Sequence, residues 1–345
     1  MRGHRHRVGP EIFQVRQTTR LATMWKPGNL ITPRARRGWG RIKRWFEGRT
    51  RRQEEVDALY RVLYQLVHDW DEALVLPGLQ TQQAFAKQWT DLPSGYYLLS
   101  DPWFRSNVAR ILSEEEIQIK REWFRGKDIL DAGCGNGRWA FGFAELGANV
   151  TAVDVNEEAT EATRNALASF PVRKAFYVTP LESLSQHLGG QQYDLVFCWG
   201  VLHHCRSATR ALAELIRHVK HGGLLYLYLY GRETMSLEED LELFKLRLRF
   251  NLMSPEAKHR FLYERAGGDE QLVHNLHDLY APLINRRVEW AEIRRRLESA
   301  GLTQVTRTKQ DTEVFVRAVN GSATEYEEKW FLPPRQPPYW FHHHW

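Results

Sequence analysis

Cysteine is scarce in this chain: three residues in 345, Cys134, Cys198 and Cys205, with no Cys-x-x-Cys pair. That excludes a disulfide framework and a cysteine-built metal site, and it suits a reducing compartment, the cytoplasm being the expected one. Long apolar runs are missing too. None approaches the roughly 18 residues of a membrane span, so a transmembrane helix is not expected. No serine precedes Ser94, which argues against a transit peptide, a segment that is basic but also Ser-rich. Acids are rare in the same region. Residues 1–51 hold 14 Lys or Arg against two acids, so the formal net charge of +6 leaves the rest of the chain negative. The basicity belongs to a tail and not to the body of the protein.

What is present is organised around residues 128–140, D-I-L-D-A-G-C-G-N-G-R-W-A. A short apolar run ending in an acid passes into glycines at alternate positions, Gly133, Gly135 and Gly137, and then into a helical pattern. The pattern predicts a strand, a tight loop and a helix N-terminus. Glycine there lets the backbone take positive φ and lets a ligand lie against the peptide plane. A dinucleotide fingerprint, G-x-G-x-x-G, requires a third glycine where this sequence has Arg138, which weakens a nicotinamide assignment. The next strand, residues 148–155, carries Asp154 near its end, at the spacing expected of a carboxylate that accepts hydrogen bonds from a ribose diol.

These residues, with V-T-A-V-D-V-N after them and Y-D-L-V-F-C-W-G-V-L-H-H further on, resemble the class I S-adenosylmethionine-dependent methyltransferases in order and spacing, over about residues 127–319. The resemblance implies S-adenosyl-L-methionine as cofactor. It assigns Asp131, Gly133 and Gly135 to the cofactor's amino-acid end and Asp154 to its ribose, with Cys134, Gly137 and Val155 completing that set. Leu181 covers the adenine, and Glu182 is a candidate for its amino group, since Pro180 stands where the family often has an acid. Trp199 lines the cofactor or acceptor side. His203 or His204, in the turn after the fourth strand, takes a proton from an acceptor hydroxyl, His203 being the first choice; alternatively one of them only bonds its own loop. Tyr230, His277 and Tyr280 are further candidates for acceptor contact. No metal site is expected, because the histidines at 342–344 have no carboxylate or cysteine near them.

Along the chain, residues 1–52 read as a basic, partly disordered tail. Within it, residues 38–52 place Trp39, Ile42, Trp45 and Phe46 at helical spacing among cations. Such a segment either makes peripheral contact with an anionic membrane or packs on the protein itself. Residues 53–126 form a helical, aromatic cap that opens with an amphipathic helix over 54–74. Residues 127–319 are the core, with strands over 173–178, 193–198 and 224–230, helices opened by Asn156 and Ser207 as N-caps, and a turn at 220–223. Alternating strands and helices predict an α/β fold, a mostly parallel, doubly wound sheet with its ligand at the strands' carboxyl ends. The resemblance makes it a seven-stranded, Rossmann-like sheet whose final strand is reversed, 303–308 and 313–319 being its hairpin. Residues 231–285 interrupt the core as a helical lid insertion, and residues 320–345 form a Pro- and aromatic-rich tail, docked or loose.

The function expected is methyl transfer by in-line displacement to an oxygen of a small, glycan-linked or lipid-linked acceptor. One alternative is RNA methylation, against which stand the acidic core and the lack of an N-P-P-Y or Pro-Cys motif; nucleic acid is not an expected partner. The other is a non-catalytic scaffold, against which stand the intact glycine loop and Asp154.

Overall fold

The structure, a computed structural model, describes residues 52–92, 95–322, 329–333 and 335–340. The basic tail up to residue 51, with all but the last residue of the 38–52 segment, and the histidines at 342–344 lie outside the described residues. The chain divides into two compact units, Met1–Asp57 and Ala58–Trp345. The described part of the first, residues 52–57, is helical; everything below belongs to the second.

Seven strands, β1 (Asp128–Ala132), β2 (Asn149–Asp154), β3 (Lys174–Val178), β4 (Tyr193–Trp199), β5 (Val219–Leu229), β6 (Leu302–Arg307) and β7 (Val314–Asn320), form one sheet. Their spatial order is β3-β2-β1-β4-β5-β7-β6. The first five pair in parallel and β7 runs antiparallel to both its neighbours, so the Rossmann-like sheet with a reversed last strand is present. β1, β2 and β4 are buried almost throughout because helices cover both faces. Alternate residues serve two separate cores. Ile129, Leu195 and Phe197 meet the helix Arg138–Glu145 through Ala140 and Phe143; Leu130, Val196 and Cys198 meet Leu212 and Leu215 of the helix Ala208–Arg217. β1 is flanked by β2 on one side and β4 on the other, so the strand order reverses there and leaves a crevice at the carboxyl ends.

Several boundaries differ from the sequence expectation. Residues 220–223 do not form a separate turn but a bulge inside β5, whose pairing with β4 jumps from Tyr193↔Val219 to Leu195↔Leu224. A Cβ on Gly223 would lie 2.9 Å from the Lys220 carbonyl oxygen and 3.1 Å from those of Tyr193 and Asp194, so the bulge needs glycine. The helix expected over 54–74 stops at residue 67. Asp69 Oδ1 accepts the N–H groups of Asp71 (2.9 Å) and Glu72 (2.8 Å) and turns the chain toward a second helix, Val75–Asp91. Asn156 occupies the N-cap position, but its side chain makes no cap bond; Asp154 Oδ1 accepts its N–H instead, at 2.9 Å. Ser207 does cap its helix, accepting from Arg210 N–H at 3.2 Å.

The insertion after β5 is three helices, Leu237–Asn251, Pro255–Arg265 and Glu270–Tyr280, capped at their N-termini by Ser236, Ser254 and Asp269. Their apolar side chains cluster with the segment that precedes the sheet rather than with the sheet itself. Tyr64 and Val67 pack with Leu241 and Phe244, and Ala84 packs with Phe250 and Val273. The two helical segments thus brace one another above the strands' carboxyl ends.

Candidate active site

The crevice opens into a cavity of about 1100 Å³. Its floor is the glycine loop. Gly133, Gly135 and Gly137 all take positive φ, +89°, +52° and +86°. A Cβ on Gly133 would lie 2.3 Å from Val201 Cγ2, and one on Gly135 would lie 2.8 Å from Trp89 Cζ2. Both glycines line the cavity, as does Cys134. Gly137 does not; it starts the helix Arg138–Glu145, and a Cβ there would meet Thr163 Cα at 2.8 Å, so its part is close packing against the helix Glu157–Ala166.

Asp154 lines the same cavity with its carboxylate fixed at both ends. One oxygen accepts Gly135 N–H at 3.0 Å and the other accepts Asn156 N–H at 2.9 Å. Burial pushes its carboxyl up, against the pull of the amides around it. Asp131 stands behind the loop and is not part of the cavity wall. Burial, with the Asp154 charge adding to it, pushes Asp131 up to about 7, and its Oδ2 has no hydrogen-bond partner among the described residues. Val155 and the buried Leu181 line the next stretch of wall. Glu182 also reaches the wall, but its Oε1 accepts Ser207 N–H at 3.0 Å and so anchors the turn after β4.

Beyond the loop the wall becomes aromatic. Trp199 lies between the Arg138 guanidinium, 4.4 Å from its ring centroid, and the ring of Tyr228 at 4.3 Å. The Tyr230 hydroxyl donates to Asp278 of the helix Glu270–Tyr280. Arg287 pairs with Glu313 at 3.6 Å, and burial pushes the Glu313 carboxyl up to about 7 in spite of that cation. His204 faces the cavity. Its Nδ1 lies 2.7 Å from the Ile284 carbonyl oxygen, which places the proton on Nδ1 and leaves Nε2 as an acceptor without a partner among the described residues. Burial lowers it to about 4. His203, the first choice from sequence, is fully buried and outside the wall, its ring tilted by 40° against that of Tyr230 with centroids 4.1 Å apart. Burial, then the neighbouring His204, holds it well below the usual histidine range. His277 and Tyr280 pack around Phe250 and are likewise outside the wall.

Residues 129–223 match a family model described as a methyltransferase domain. Over those residues the chain is similar to methyltransferase domains. Among relatives, the mitochondrial ubiquinone biosynthesis O-methyltransferase of Schizosaccharomyces pombe is 34% identical over 155 residues, 44% of this chain and 54% of that protein. The ubiquinone biosynthesis O-methyltransferase of Bordetella avium is 31% identical over 156 residues, 44% of this chain and 60% of that one. The chain therefore spans little more than half the length of these relatives. A crystal structure of magnesium protoporphyrin IX methyltransferase from Synechocystis superposes with a TM-score of 0.44 at 15% identity, covering 72% of this chain and 99% of that one. No described helix is long and apolar enough to cross a membrane, and no cluster of three metal-ligating side chains occurs among the described residues.

Around this domain the structure adds residues that the sequence did not single out. Glu116, fully buried in a π-helical stretch (Ile111–Ile117), accepts hydrogen bonds from the Trp199 indole at 3.1 Å and the Tyr226 hydroxyl at 2.5 Å, and further ones from Lys309 and the Trp340 indole. Trp340, from the C-terminal segment, is thereby fixed in the cavity wall, where it meets Tyr97, Phe104 and Trp139. Arg286, also buried, donates to the carbonyl oxygens of His68, Asp69, His203, Cys205 and Arg206, tying the turn that carries His204 to the segment before the sheet. No sequence signal marks these residues, because their partners lie up to 224 residues away.

Proposed function

We propose that the protein is an S-adenosylmethionine-dependent O-methyltransferase acting on a small hydroxylated molecule. The observation that carries this is one continuous cavity whose floor is a glycine loop with an anchored ribose acid and whose far end holds His204 with a free Nε2. The residues fit a nucleoside ligand. Side chains on Gly133 or Gly135 would close the cradle, and Asp154 presents a carboxylate at the cavity wall, the group suited to a diol. The volume is at the upper end for a single small-molecule site and suits a cofactor together with an acceptor. Bound there, the cofactor supplies a methyl group on a positively charged sulfur.

The chain's own part is placement and exclusion of water, and well-oriented reactants account for roughly 7–11 kcal/mol of barrier. Trp199, Tyr228 and Trp340 supply an apolar wall on the acceptor side. His204, neutral at physiological pH, is a weak base, and a weak base suffices. An alcohol oxygen acquires positive charge as it gains a methyl group, so its proton becomes strongly acidic at that moment, and Nε2 need only accept a hydrogen bond beforehand. The relatives' names favour oxygen as the methylated atom and a small acceptor over a glycan-linked or lipid-linked one.

The test is calorimetric titration with S-adenosylmethionine and S-adenosylhomocysteine, on the wild type and on Asp154→Asn. The wild type should bind both at one site. The variant keeps the side-chain shape but loses the charge, and should bind about 10- to 100-fold more weakly, given the strength of charge-assisted hydrogen bonds. Equal affinity in the two proteins would remove the ribose assignment, and no binding by the wild type would remove the enzyme assignment.

A further inference from the structure

The ring of Tyr228 belongs to the apolar wall, but its hydroxyl has no part in the function described so far. The ring is held firmly. It stacks on Phe315, with centroids 4.6 Å apart and planes 15° from parallel, and meets Trp199 at 4.3 Å and Tyr230 at 5.8 Å. β5 delivers it near the strand's carboxyl end, and the sheet order puts β4, which ends in Trp199, between β5 and the strand that leads into the glycine loop. Tyr228 therefore lines the cavity beyond Trp199 as seen from the glycine loop, in the acceptor's compartment.

Polar side chains of this compartment divide by what already satisfies them. The Tyr230 hydroxyl donates to Asp278, and the Glu313 carboxylate accepts Gly231 N–H and faces Arg287. Both ring nitrogens of His274 are engaged, Nδ1 with the Leu92 carbonyl oxygen at 2.7 Å and Nε2 with Gln88 at 2.9 Å. The Tyr228 hydroxyl makes no hydrogen bond among the described residues, although the residue is only partly exposed. Phenol groups taken from water ordinarily find a partner, and one left without carries a desolvation cost. Asn275 lines the wall without a hydrogen bond as well, but an amide offers donors and an acceptor alike and sets no polarity. The Tyr228 phenol does set one. Burial, then the Glu313 carboxylate, pushes it well above the ordinary tyrosine range, so at neutral pH it keeps a proton to donate.

We propose that Tyr228 is a specificity-determining residue, donating a hydrogen bond to an oxygen of the acceptor other than the one methylated. His204 and Tyr228 flank Tyr230, whose ring centroid lies 5.6 Å from that of the first and 5.8 Å from that of the second. One small molecule can therefore present its methylated hydroxyl to His204 Nε2 and a second oxygen to Tyr228. The acceptor class is a hydroxylated molecule with a further oxygen that accepts a hydrogen bond, such as a carbonyl. This rests on the assignment of the cavity to S-adenosylmethionine and a small hydroxylated acceptor.

The probes are phenol, which has one oxygen, and the three hydroxyacetophenones, which add a carbonyl oxygen at different spacings. Each is titrated calorimetrically into the complex with S-adenosylhomocysteine, formed by the wild type and by Tyr228→Phe. The variant removes the hydroxyl and keeps the ring; thermal unfolding and S-adenosylhomocysteine affinity confirm that it is folded. At least one hydroxyacetophenone should bind the wild type about 3- to 10-fold more tightly than phenol, and Tyr228→Phe should erase that advantage while leaving phenol within about two-fold. An advantage that persists in Tyr228→Phe overturns the proposal, since it would come from Asn275 or from the packing of the added atoms. No advantage in the wild type overturns it too. Binding of S-adenosylhomocysteine but of none of the four probes strikes the hydroxylated acceptor together with the proposal. Failure of the wild type to bind S-adenosylhomocysteine strikes the cofactor assignment and is distinct from the other results.

Discussion

Glu116 and Lys309 show how much of the site depends on two side chains that never reach it. Both are fully buried, and the carboxylate of one gathers the ammonium of the other with Trp199, Tyr226 and Trp340. Burial pulls the Lys309 ammonium down, so its charge depends on that neighbour. Glu116→Gln leaves the ammonium uncompensated and should cost about 3–5 kcal/mol in urea denaturation, whereas Glu116→Gln with Lys309→Met should recover most of the loss. Additive losses would show that the pair is not coupled. The contrast with the glycine loop is one of distance along the chain. Gly133, Gly135 and Asp154 are legible in sequence because a strand, a loop and a second strand bring them together within a few turns of chain. Glu116 meets its partners only after strands and C-terminal segment have come together, and the last glutamate of the run 114–116 carries no sign of it. His203 and His204 lie between these cases: the sequence locates the pair but not which ring faces the cavity, which is decided by the Ile284 carbonyl that holds His204.

Among the elements, the sheet was the most legible, since buried parallel strands read as apolar runs, and the K-H-G-G bulge was not, because the same residues make a turn or a bulge depending on the partner strand. The insertion was visible as helical sequence, yet what fastens it was hidden. The helix Glu270–Tyr280 is held to the sheet end by the Tyr230–Asp278 hydrogen bond, and Arg247 of the helix Leu237–Asn251 donates to the Leu279 carbonyl oxygen at 2.9 Å. Tyr230→Phe removes the first tie alone. Hydrogen exchange in Glu270–Tyr280 should quicken about 5- to 10-fold, the loss of roughly 1 kcal/mol, while β4 and β5 stay protected. Unchanged exchange would assign the fastening of this helix to its apolar contacts with the 75–91 helix.

For the molecule as a whole, buried titrating groups tie stability to pH in two opposing directions. Burial lowers His68 to about 3 and His204 and His277 to about 4, while an unfolded histidine titrates near 6.5. Between those values the unfolded chain binds more protons, so this stability is fully present above about pH 6.5 and is lost as pH falls toward 4. Asp131 and Glu313, raised to about 7 by burial, act oppositely: as pH rises from roughly 4 to 7 their unfolded carboxyls ionise while the folded ones stay protonated, and stability falls. One ring can be isolated. Relative to His277→Phe, the wild type should lose an extra ~1.4 kcal/mol of unfolding free energy per pH unit from pH 6.5 to 4.5, measured by urea titration; parallel curves would mean that the ring is not held neutral. At this scale, too, Trp340 has a consequence. The last strand of the sheet ends at Asn320, yet the cavity wall is finished only by Trp340. A chain stopped just after β7 would keep all seven strands yet lose Trp340 at once from the cavity wall and from the core cluster it shares with Phe104 and Trp139.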